Sequence, residues 1–239
     1  MNKIKGILID SGRVLNFAAT GDWSTSPNFF HIIDKSKFYS IPKAKRKVAY
    51  KKAWDYINSI KTMNTIEEEW EHFSGFFTII AEELPELEIH KDKKKLLIDD
   101  FVSNFDKYTF FKDVFDVIPR LSRSYKLCVV SDAWPSLRGV FKKVGVDKYF
   151  DSLIISSELG ITEPNLQMYK SAIKELDLNE EEVIYIDDNP KNCDGASEMG
   201  IKAIILNRDL ILRMYYKFIL KSPYRIVRNL YDIERLILK

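Results

Sequence analysis

The sequence feature that most constrains the fold is a short apolar run that ends in an acid, GILIDSGRVLN at residues 6–16. Ile7, Leu8 and Ile9 are typical of a strand that is buried on both faces of a sheet. Asp10 follows directly, at the strand end where open parallel sheets bind their ligands. An aspartate that closes a turn is an equally good interpretation of this stretch alone. Its meaning therefore depends on the rest of the chain.

Beyond residue 111 the sequence alternates between short apolar runs and segments with helical periodicity. Strands that alternate with helices pair in parallel and are joined by right-handed crossovers. We therefore predict an α/β fold with a doubly wound, Rossmann-like parallel sheet. The predicted strands cover residues 127–130, 153–155, 183–186, 202–206 and 224–227. The predicted helices cover residues 113–123, 135–145, 166–176, 190–199, 210–220 and 231–238.

The stretch between the first predicted strand and residue 110 lacks a convincing strand pattern. We predict that residues 18–109 form an all-helical domain inserted into the α/β fold. The core domain would then comprise residues 1–17 and 110–239. The start of the insertion, up to about residue 38, is typical of a linker because glycine, proline, serine and threonine are scattered through it.

One helix of the insertion has recognisable ends. Thr65 and Glu68 fit a capping box, which would open a helix. This helix would continue to Leu84, where Pro85 stops it. A second helix is predicted over residues 93–108. These helices would supply the core of the insertion.

Composition limits the partners that we expect. A formal net charge of +2 over 239 residues does not indicate a nucleic-acid binder. No apolar run approaches the ~20 residues that a membrane-spanning helix needs, and Asp10 interrupts the first apolar run too early for a signal peptide. Cys128 and Cys193 both lie in predicted core segments, which favours reduced thiols over a disulfide framework. We therefore expect a cytoplasmic protein that binds neither nucleic acid nor membrane, and the sequence leaves its oligomeric state open.

Three of the predicted strands end in polar residues, namely Asp10, Ser131-Asp132 and Asp187-Asp188. Because the carboxyl ends of parallel strands share one edge of the sheet, we expect these side chains to converge. A carboxylate can attack as a nucleophile, and paired carboxylates suit Mg²⁺. A hydroxyl with the amides of a tight turn suits phosphate oxygens. Each cluster also has a structural interpretation, as a strand-end hydroxyl or a helix cap, but all three structural interpretations together are a weaker hypothesis.

Other common catalytic patterns are missing from the sequence. It contains no Gly-x-x-x-x-Gly-Lys loop of a P-loop nucleotidase. Its three histidines lack the spacing of a zinc site or of a serine triad. The strand-end carboxylates are therefore the strongest chemical signal in the chain.

The order of these features resembles the haloacid dehalogenase-like (HAD) hydrolase superfamily. ILIDSGRVL is similar to the family's first motif, in which an apolar strand runs into Asp-x-Asp-x-Thr/Val. LCVVSDAWPSL resembles the second motif, a strand that ends in Ser or Thr, and ELGITEPNLQMY resembles the third, usually Gly-x-x-Lys-Pro. VIYIDDNPKN resembles the fourth, an acidic pair. The resemblance spans almost the whole chain and implies that the helical insertion is a C1-type cap, which covers the site.

The resemblance implies a Mg²⁺-dependent phosphatase that acts on a small phosphorylated metabolite through an aspartyl-phosphate. Asp10 would be the nucleophile, and Asn192 would position the acidic loop. The implied Mg²⁺ ligands are Asp10, the Gly12 carbonyl, Asp188 and, directly or through water, Asp187. The implied contacts to the transferred phosphoryl group are Ser131 and the amides of Ser11, Gly12 and Asp132.

Two residues depart from the family pattern. Gly12 stands where most family phosphatases carry a second Asp, which acts as general acid and base. Glu163 stands where the third motif usually has a Lys, which neutralises the carboxylates and the incoming phosphate. Like charges ~4 Å apart repel by roughly 1 kcal/mol in water and by more in a protected cleft, so Glu163 opposes catalysis unless it turns away or another cation compensates. Arg13 is the nearest candidate cation in the sequence, although a surface residue in the turn is an equally good interpretation of it.

These departures leave three hypotheses for the function. The first is the phosphatase. The second is a catalytically weak or inactive relative that binds a ligand or partner, which Gly12 and Glu163 favour. The third is a metal-free haloacid dehalogenase. The intact Asp187-Asp188 pair argues against the third, because the family's dehalogenases do not use that pair to bind metal.

Overall fold

The computed structural model describes residues 4–238 and shows two compact units. The first, here called the α/β unit, comprises the described chain up to Phe17, Thr109–Ala133 and the described chain from Phe141 onwards. The second, here called the helical unit, comprises Ala18–Tyr108 and Trp134–Val140. Residues 134–140 thus group with the helical unit, although the predicted core domain contains them.

The α/β unit is built on a six-stranded sheet in which every neighbouring pair of strands is parallel. The strands of the chain are β1 (Gly6–Ile9), β2 (Asn16–Ala18), β3 (Tyr108–Phe110), β4 (Lys126–Ser131), β5 (Ser152–Ile155), β6 (Val183–Asp187), β7 (Lys202–Leu206) and β8 (Arg225–Val227). The sheet has the order β5-β4-β1-β6-β7-β8, and β2 pairs with β3 separately. This topology confirms the predicted Rossmann-like α/β fold. The strand order reverses at β1, and ligands bind at such switch points in open parallel sheets.

The register of the central strands sets the level at which each polar residue leaves the sheet. β1 and β6 are buried along their whole length, as expected of strands covered on both faces. Ile9 is aligned with Ile186 on one side and with Val129 on the other. Asp10, directly after β1, and Asp187, the last residue of β6, therefore lie at the same height along the strands. Ser131, the last residue of β4, lies one residue further along.

Helices occupy most of the remaining chain, and their bounds agree with the predicted pattern in the α/β unit. The helices are α1 (Phe29–Ile32), α2 (Lys35–Ser40), α3 (Lys43–Ser59), α4 (Ile66–Glu83), α5 (Lys91–Val102), α6 (Lys112–Leu121), α7 (Ser136–Val144), α8 (Ser156–Leu159), α9 (Leu166–Leu176), α10 (Pro190–Glu198), α11 (Leu210–Met214) and α12 (Leu230–Ile237). The predicted helix over residues 210–220 is α11 followed by a π-helical turn, Tyr215–Ile219. Within residues 4–238 no helix is long and apolar enough to cross a membrane.

The helical unit has an aromatic core. Phe73, Phe76 and Phe77 of α4 pack against Phe101 of α5, with ring centroids 4.4 to 6.5 Å apart. Residues 19–107, all of which the structure describes, contain no strand. Burial of these large rings supplies the apolar contacts that stabilise the unit.

A buried polar network explains why the start of α7 belongs to the helical unit. The carboxylate of Glu69 accepts hydrogen bonds from the amide and the hydroxyl of Ser136, each at 2.7 Å. The ammonium group of Lys107 donates to the Ser136 hydroxyl at 2.7 Å and lies 3.8 Å from the Glu69 carboxylate. Burial raises the pKa of Glu69 and lowers the pKa of Lys107. Glu69 of α4 and Lys107 of the 3₁₀ turn before β3 thus form an ion pair, and both hydrogen-bond to the first residue of α7.

Several predicted boundaries in the insertion are wrong. The stretch up to residue 38 contains α1 and most of α2 rather than a continuous linker, and the Asp34 side chain caps α2 by accepting from the amide of Lys37. The helix predicted over residues 93–108 ends at Val102. A separate 3₁₀ turn follows it, because the side chain of Asn104 caps that turn.

The predicted capping box is half correct. The hydroxyl of Thr65 accepts a hydrogen bond from the amide of Glu68 at 3.2 Å. The Glu68 carboxylate accepts from the amide of Asn64, one residue before the cap, at 2.7 Å.

The predicted cysteine state is confirmed, because Cys128 and Cys193 are both free and buried.

Candidate active site

The chain folds back on itself immediately after Asp10. The carbonyl oxygen of Ser11 accepts hydrogen bonds from the amides of Leu15 and Asn16, at 2.8 and 3.0 Å. The side-chain amide of Asn16 donates to the Ser11 hydroxyl at 2.7 Å. Arg13 takes a positive φ of 60° within the turn. This closed turn holds Asp10 at the carboxyl end of β1.

Three carboxylates converge at this edge of the sheet. One oxygen from each of Asp10, Glu163 and Asp187 lies within 4.8 Å of the other two. Asp187 is fully buried, Asp10 is 8% exposed, and Glu163 is partly buried. The direction of Glu163, which the sequence left open, is therefore into the cluster. We refer to these three residues as the carboxylate cluster.

Tyr185 links two members of the carboxylate cluster and was not predicted as a site residue. Its hydroxyl is within hydrogen-bond distance of a Glu163 oxygen and of an Asp187 oxygen. A phenol carries one proton, so it can donate to only one of the two carboxyl groups. The other contact is favourable when that second carboxyl group is protonated. The geometry thus fits a cluster that retains a proton when no metal ion is present.

The carboxyl group of Asp187 has further donors around it. The amide of Asn189 donates to one oxygen at 2.6 Å, and the side-chain amide of Asn192 donates to the other at 2.9 Å. The hydroxyl of Tyr169 donates to the backbone carbonyl of Asn192 at 3.0 Å. Asn192 therefore holds the loop after β6 against the Asp187 side chain, as predicted for it.

Burial and like charge act together on the titration of the carboxylate cluster. Burial, followed by the charges of Asp187, Glu163 and Asp188, raises the pKa of Asp10 well above its usual range. Burial and the charge of Asp187 likewise raise the pKa of Glu163, which the Tyr185 hydrogen bond partly offsets. Burial also raises the pKa of Asp187, and the hydrogen bonds that its carboxylate accepts partly offset this rise. Without a cation, these groups cannot all be ionised near neutral pH at low energetic cost.

The loop that carries Glu163 is held from two sides. The amide of Glu163 donates to a carboxylate oxygen of Asp132 at 3.0 Å. On the other side, Pro164 packs directly against Gly195 of α10. A Cβ atom at position 195 would lie 2.7 Å from both the Cβ and the carbonyl oxygen of Pro164. Glycine at this position therefore permits the close approach that brings Glu163 to the cluster.

Asp188 and Arg13 form a second polar pair beside the carboxylate cluster. The Arg13 guanidinium lies 3.7 Å from the Asp188 carboxylate, and its side chain is 70% exposed. Burial and the charge of Asp187 raise the pKa of Asp188 to about 6, while Arg13 opposes this rise. Arg13 is thus an exposed residue of the turn that pairs with one of the acids, and its role as a compensating cation in catalysis stays a prediction. Asp188 is not among the three carboxylates that lie within 4.8 Å of one another.

The residues predicted to contact a phosphoryl group lie at the ends of β1 and β4. Ser131 is the last residue of β4 and is 4% exposed. The Ser11 hydroxyl accepts from Asn16, and Gly12 forms a bridge with the same residue. The Asp132 carboxylate is used to hold the amide of Glu163. The roles of these four residues toward a phosphoryl group stay predictions.

The alternation of side chains along β6 is the one local pattern that could have indicated Tyr185 from the sequence. Residues two apart on a strand point to the same face, so Tyr185 shares a face of β6 with Asp187. The partner that makes this position informative, Glu163, lies on a loop 22 residues earlier. That contact is tertiary, and no local pattern of residues indicates it.

Comparison with known proteins supports the fold and the family. A family model described as haloacid dehalogenase-like hydrolase matches residues 45–206, which include Ser131, Glu163 and Asp187 and begin after Asp10. In structure, the chain superposes on a 2-haloacid dehalogenase from Pseudomonas syringae pv. Tomato DC3000 with a TM-score of 0.69 and 16% identity, covering 98% of each chain. This likeness concerns the fold alone.

Curated relatives include enzymes with two different activities. (S)-2-haloacid dehalogenase 4A from Burkholderia cepacia is 25% identical over 121 residues, 50% of this chain and 52% of that protein. Glyceraldehyde 3-phosphate phosphatase from Methanopyrus kandleri is 28% identical over 112 residues, 43% of this chain and 46% of that protein. The chain thus spans about half the length of the curated relatives it matches. The family model covers more than half of the chain, and the protein belongs to the haloacid dehalogenase-like hydrolase family.

Proposed function

We propose that the protein is a Mg²⁺-dependent phosphatase that hydrolyses a small phosphorylated metabolite through an aspartyl-phosphate at Asp10. The observation that carries this proposal is the carboxylate cluster, whose oxygens lie within 4.8 Å of one another at the switch point of the sheet. A phosphatase relative supports it at the level of sequence. The helical unit is proposed to serve as the C1-type cap and to select the substrate.

The donor set around Asp10 fits Mg²⁺. All the candidate ligands are oxygens, which Mg²⁺ prefers to nitrogen or sulfur. Asp10, Asp187, Asp188 and the Gly12 carbonyl would hold the ion, and Glu163 adds a further carboxylate beside them. When bound, Mg²⁺ supplies positive charge that neutralises the carboxylates and a phosphate dianion. Burial, together with the neighbouring acids, raises the pKa of Asp10 and of Glu163 before a cation arrives.

The chemistry assigned to Asp10 is nucleophilic attack. A carboxylate oxygen of Asp10 forms a bond to phosphorus as the bond to the leaving oxygen breaks, and the leaving alkoxide takes a proton from solvent water, because Gly12 offers no acid side chain. Water then attacks the phosphorus of the acyl phosphate, which releases phosphate and restores the Asp10 carboxylate. Ser131 and the amides of Ser11, Gly12 and Asp132 are proposed to hold the phosphoryl oxygens during both steps.

A dehalogenase function is less well supported by the electrostatics, although one relative is a dehalogenase. A 2-haloacid is an anion, and without a metal ion it would approach the three acids of the carboxylate cluster. Like charges in a buried site repel more strongly than in water. The Asp187-Asp188 pair also has a clear use in a metal-dependent site. We therefore rank haloacid dehalogenation below phosphate hydrolysis.

The second candidate function is a weakly active or inactive family member that binds a ligand or partner. The observation that favours it is the direction of Glu163, which faces Asp10 and adds to the effect of burial and of Asp187 in raising the pKa of the Asp10 carboxyl group. A protonated aspartic acid is a poor nucleophile. Gly12, in place of the family's second Asp, points the same way.

One experiment separates these functions. Hydrolysis of an aryl phosphate is measured with and without Mg²⁺ on the wild type, on Asp10→Asn, and on Asp177→Asn as a matched control at an exposed position. Chloride release from 2-chloropropionate is measured in parallel. We expect Mg²⁺-dependent hydrolysis that falls by several orders of magnitude in Asp10→Asn only.

Other outcomes decide against the proposal. Chloride release that depends on Asp10 without Mg²⁺ would assign a dehalogenase. No turnover of either substrate, with intact Mg²⁺ binding by calorimetry, would favour the binding protein. Aryl phosphate hydrolysis that survives in folded Asp10→Asn would exclude covalent catalysis by Asp10.

A further inference from the structure

The tail segment, defined here as residues 210–231, is strongly basic. It contains five lysines and arginines and no aspartate or glutamate. The whole chain carries a net charge of only +2, so the rest of the chain carries a net −3. Positive charge is therefore concentrated in one stretch that lies outside the candidate active site.

The same segment exposes large apolar side chains. Ile211 is 78% exposed, Ile219 68% and Phe218 55%. Neither α11 nor the π-helical turn that continues it has a buried residue. A surface helix of a globular protein normally buries an apolar stripe against the core. Exposed apolar patches of this kind mark contact surfaces for proteins or membranes.

Basic side chains line a groove beside these apolar residues. The groove has a volume of about 660 Å³ and lies between α11, β8 and α12. Its cationic lining residues are Arg213, Lys217, Arg225, Arg228 and Arg235. The acid in the lining is Asp232, and it is already paired with Arg228 at 2.9 Å. The groove therefore presents an excess of positive charge to whatever approaches it.

We propose that the tail segment docks the protein on an anionic lipid surface. Leu210, Ile211, Phe218 and Ile219 would enter the boundary between headgroups and acyl chains, and the lysines and arginines would meet the lipid phosphates. Apolar side chains flanked by Lys and Arg are the pattern of segments that lie in a membrane interface without crossing it. Such a segment lies on the membrane without spanning it, and the proposal replaces the expectation from the sequence that the protein binds no membrane.

Charge complementarity favours a lipid surface over the other possible occupants. A symmetric pairing of two copies through this face would bring like charges together, since the same patch meets itself in such an interface. A nucleic acid would satisfy the cations and could stack bases on Tyr215 and Phe218, but it would leave the more exposed aliphatic side chains of Ile211 and Ile219 without apolar partners. An anionic bilayer satisfies both the cations and the aliphatic side chains.

The test is cosedimentation of the full-length protein with vesicles. Wild type is mixed with phosphatidylcholine vesicles and with vesicles that also contain phosphatidylserine. We expect binding at least about tenfold tighter to the anionic vesicles and weakened by high salt, because salt screens exposed charges. These two measurements need no variant.

Two pairs of substitutions then locate the contact. Phe218→Ser with Ile219→Ser removes apolar contacts, and Lys217→Gln with Lys221→Gln removes two charges. Each pair is expected to weaken vesicle binding at least about tenfold. The matched controls lie on the helical unit. Leu96→Ser, at a side chain that is 57% exposed, is the apolar control, and Lys43→Gln with Lys47→Gln is the charge control. Thermal unfolding of every variant confirms that it folds.

Four results would overturn the proposal. They are the absence of binding to anionic vesicles, equal binding to neutral vesicles, full binding by both tail variants, and loss of binding in the controls to the same extent. Sedimentation velocity identifies a second copy as the occupant if wild type self-associates and the Phe218→Ser, Ile219→Ser variant is monomeric. Binding of a single-stranded oligonucleotide but not of vesicles would assign nucleic acid.

Discussion

The substitution Gly195→Ala tests how the candidate active site is held together. The new methyl group would lie 2.7 Å from the Cβ and from the carbonyl oxygen of Pro164. Non-bonded carbon atoms pack at about 3.5–4.0 Å, so the Pro164 backbone or α10 must move by roughly 1 Å. Pro164 follows Glu163 directly, and the movement would shift Glu163 relative to Asp187.

Two opposing contributions set the expected change in the free energy of unfolding. Replacing glycine by alanine inside a helix stabilises it by roughly 0.5–1 kcal/mol. Forcing an extra methyl group into a packed region costs about 1–3 kcal/mol. The contact at position 195 involves backbone, which cannot rotate away as a side chain can. We therefore expect a net loss of about 1–2 kcal/mol, and a midpoint of thermal unfolding lower by ~2–8 °C in a chain of this length.

The matched control is Gly75→Ala in the interior of α4. Its new methyl group would lie 2.6 Å from the ring end of Tyr56, which is a partly exposed side chain that can swing aside. We expect Gly75→Ala to be neutral or stabilising. Thermal and urea unfolding, followed by circular dichroism, measure both variants. If Gly195→Ala proved as stable as Gly75→Ala, the close packing of Pro164 on α10 would not be what positions Glu163.

Three further predictions concern charge. Glu163→Gln should bind inorganic phosphate more tightly in the presence of Mg²⁺, because two like charges within 4.8 Å repel by about 3.5 kcal/mol or more at an effective dielectric constant of 20. Calorimetry with Glu175→Gln as the exposed control would contradict this if the two variants bound phosphate equally. Mg²⁺ affinity should fall as the pH is lowered through about 6, because burial raises the pKa of Asp188 to about 6 and protons then compete with the metal. A Mg²⁺ affinity that does not change with pH would rule out Asp188 as a ligand. Glu69→Gln should lower the free energy of unfolding in urea by about 3–5 kcal/mol, because the buried Lys107 ammonium loses its counter-charge. A decrease of less than about 1 kcal/mol would show that the ammonium finds another partner.

The sheet and the convergence of the strand ends could be predicted because both follow from local pattern. Apolar runs separated by helical segments require parallel strands, and parallel strands bring their carboxyl ends to one edge. Asp10 and Asp187 accordingly lie within 4.8 Å although 177 residues separate them. The helix bounds within the insertion were predicted less well, because side-chain caps such as Asp34 and Asn104 decide them one turn at a time.

The packing of Gly195 on Pro164 could not be predicted, because Pro164 lies in a loop and Gly195 lies in α10, which is distant from that loop in the sequence. A glycine inside a helix carries no local indication that another backbone approaches it. The start of α7 illustrates the same limit. Its grouping with the helical unit depends on Glu69 and Lys107, which precede it by 67 and 29 residues. Both features become visible only when the tertiary structure is known.

The charge of the candidate active site shows why a count of acids in the sequence overstates the obstacle to catalysis. Asp10, Glu163, Asp187 and Asp188 would carry four negative charges if each were ionised. Burial raises the pKa of all four, and Tyr185 lies between two of them with one proton to donate. The metal-free site can therefore store protons in place of the lysine that the family pattern would supply. A cation that enters the site would release those protons. Glutamate at position 163, in place of the family's lysine, therefore changes the pH at which the metal site assembles rather than preventing its assembly.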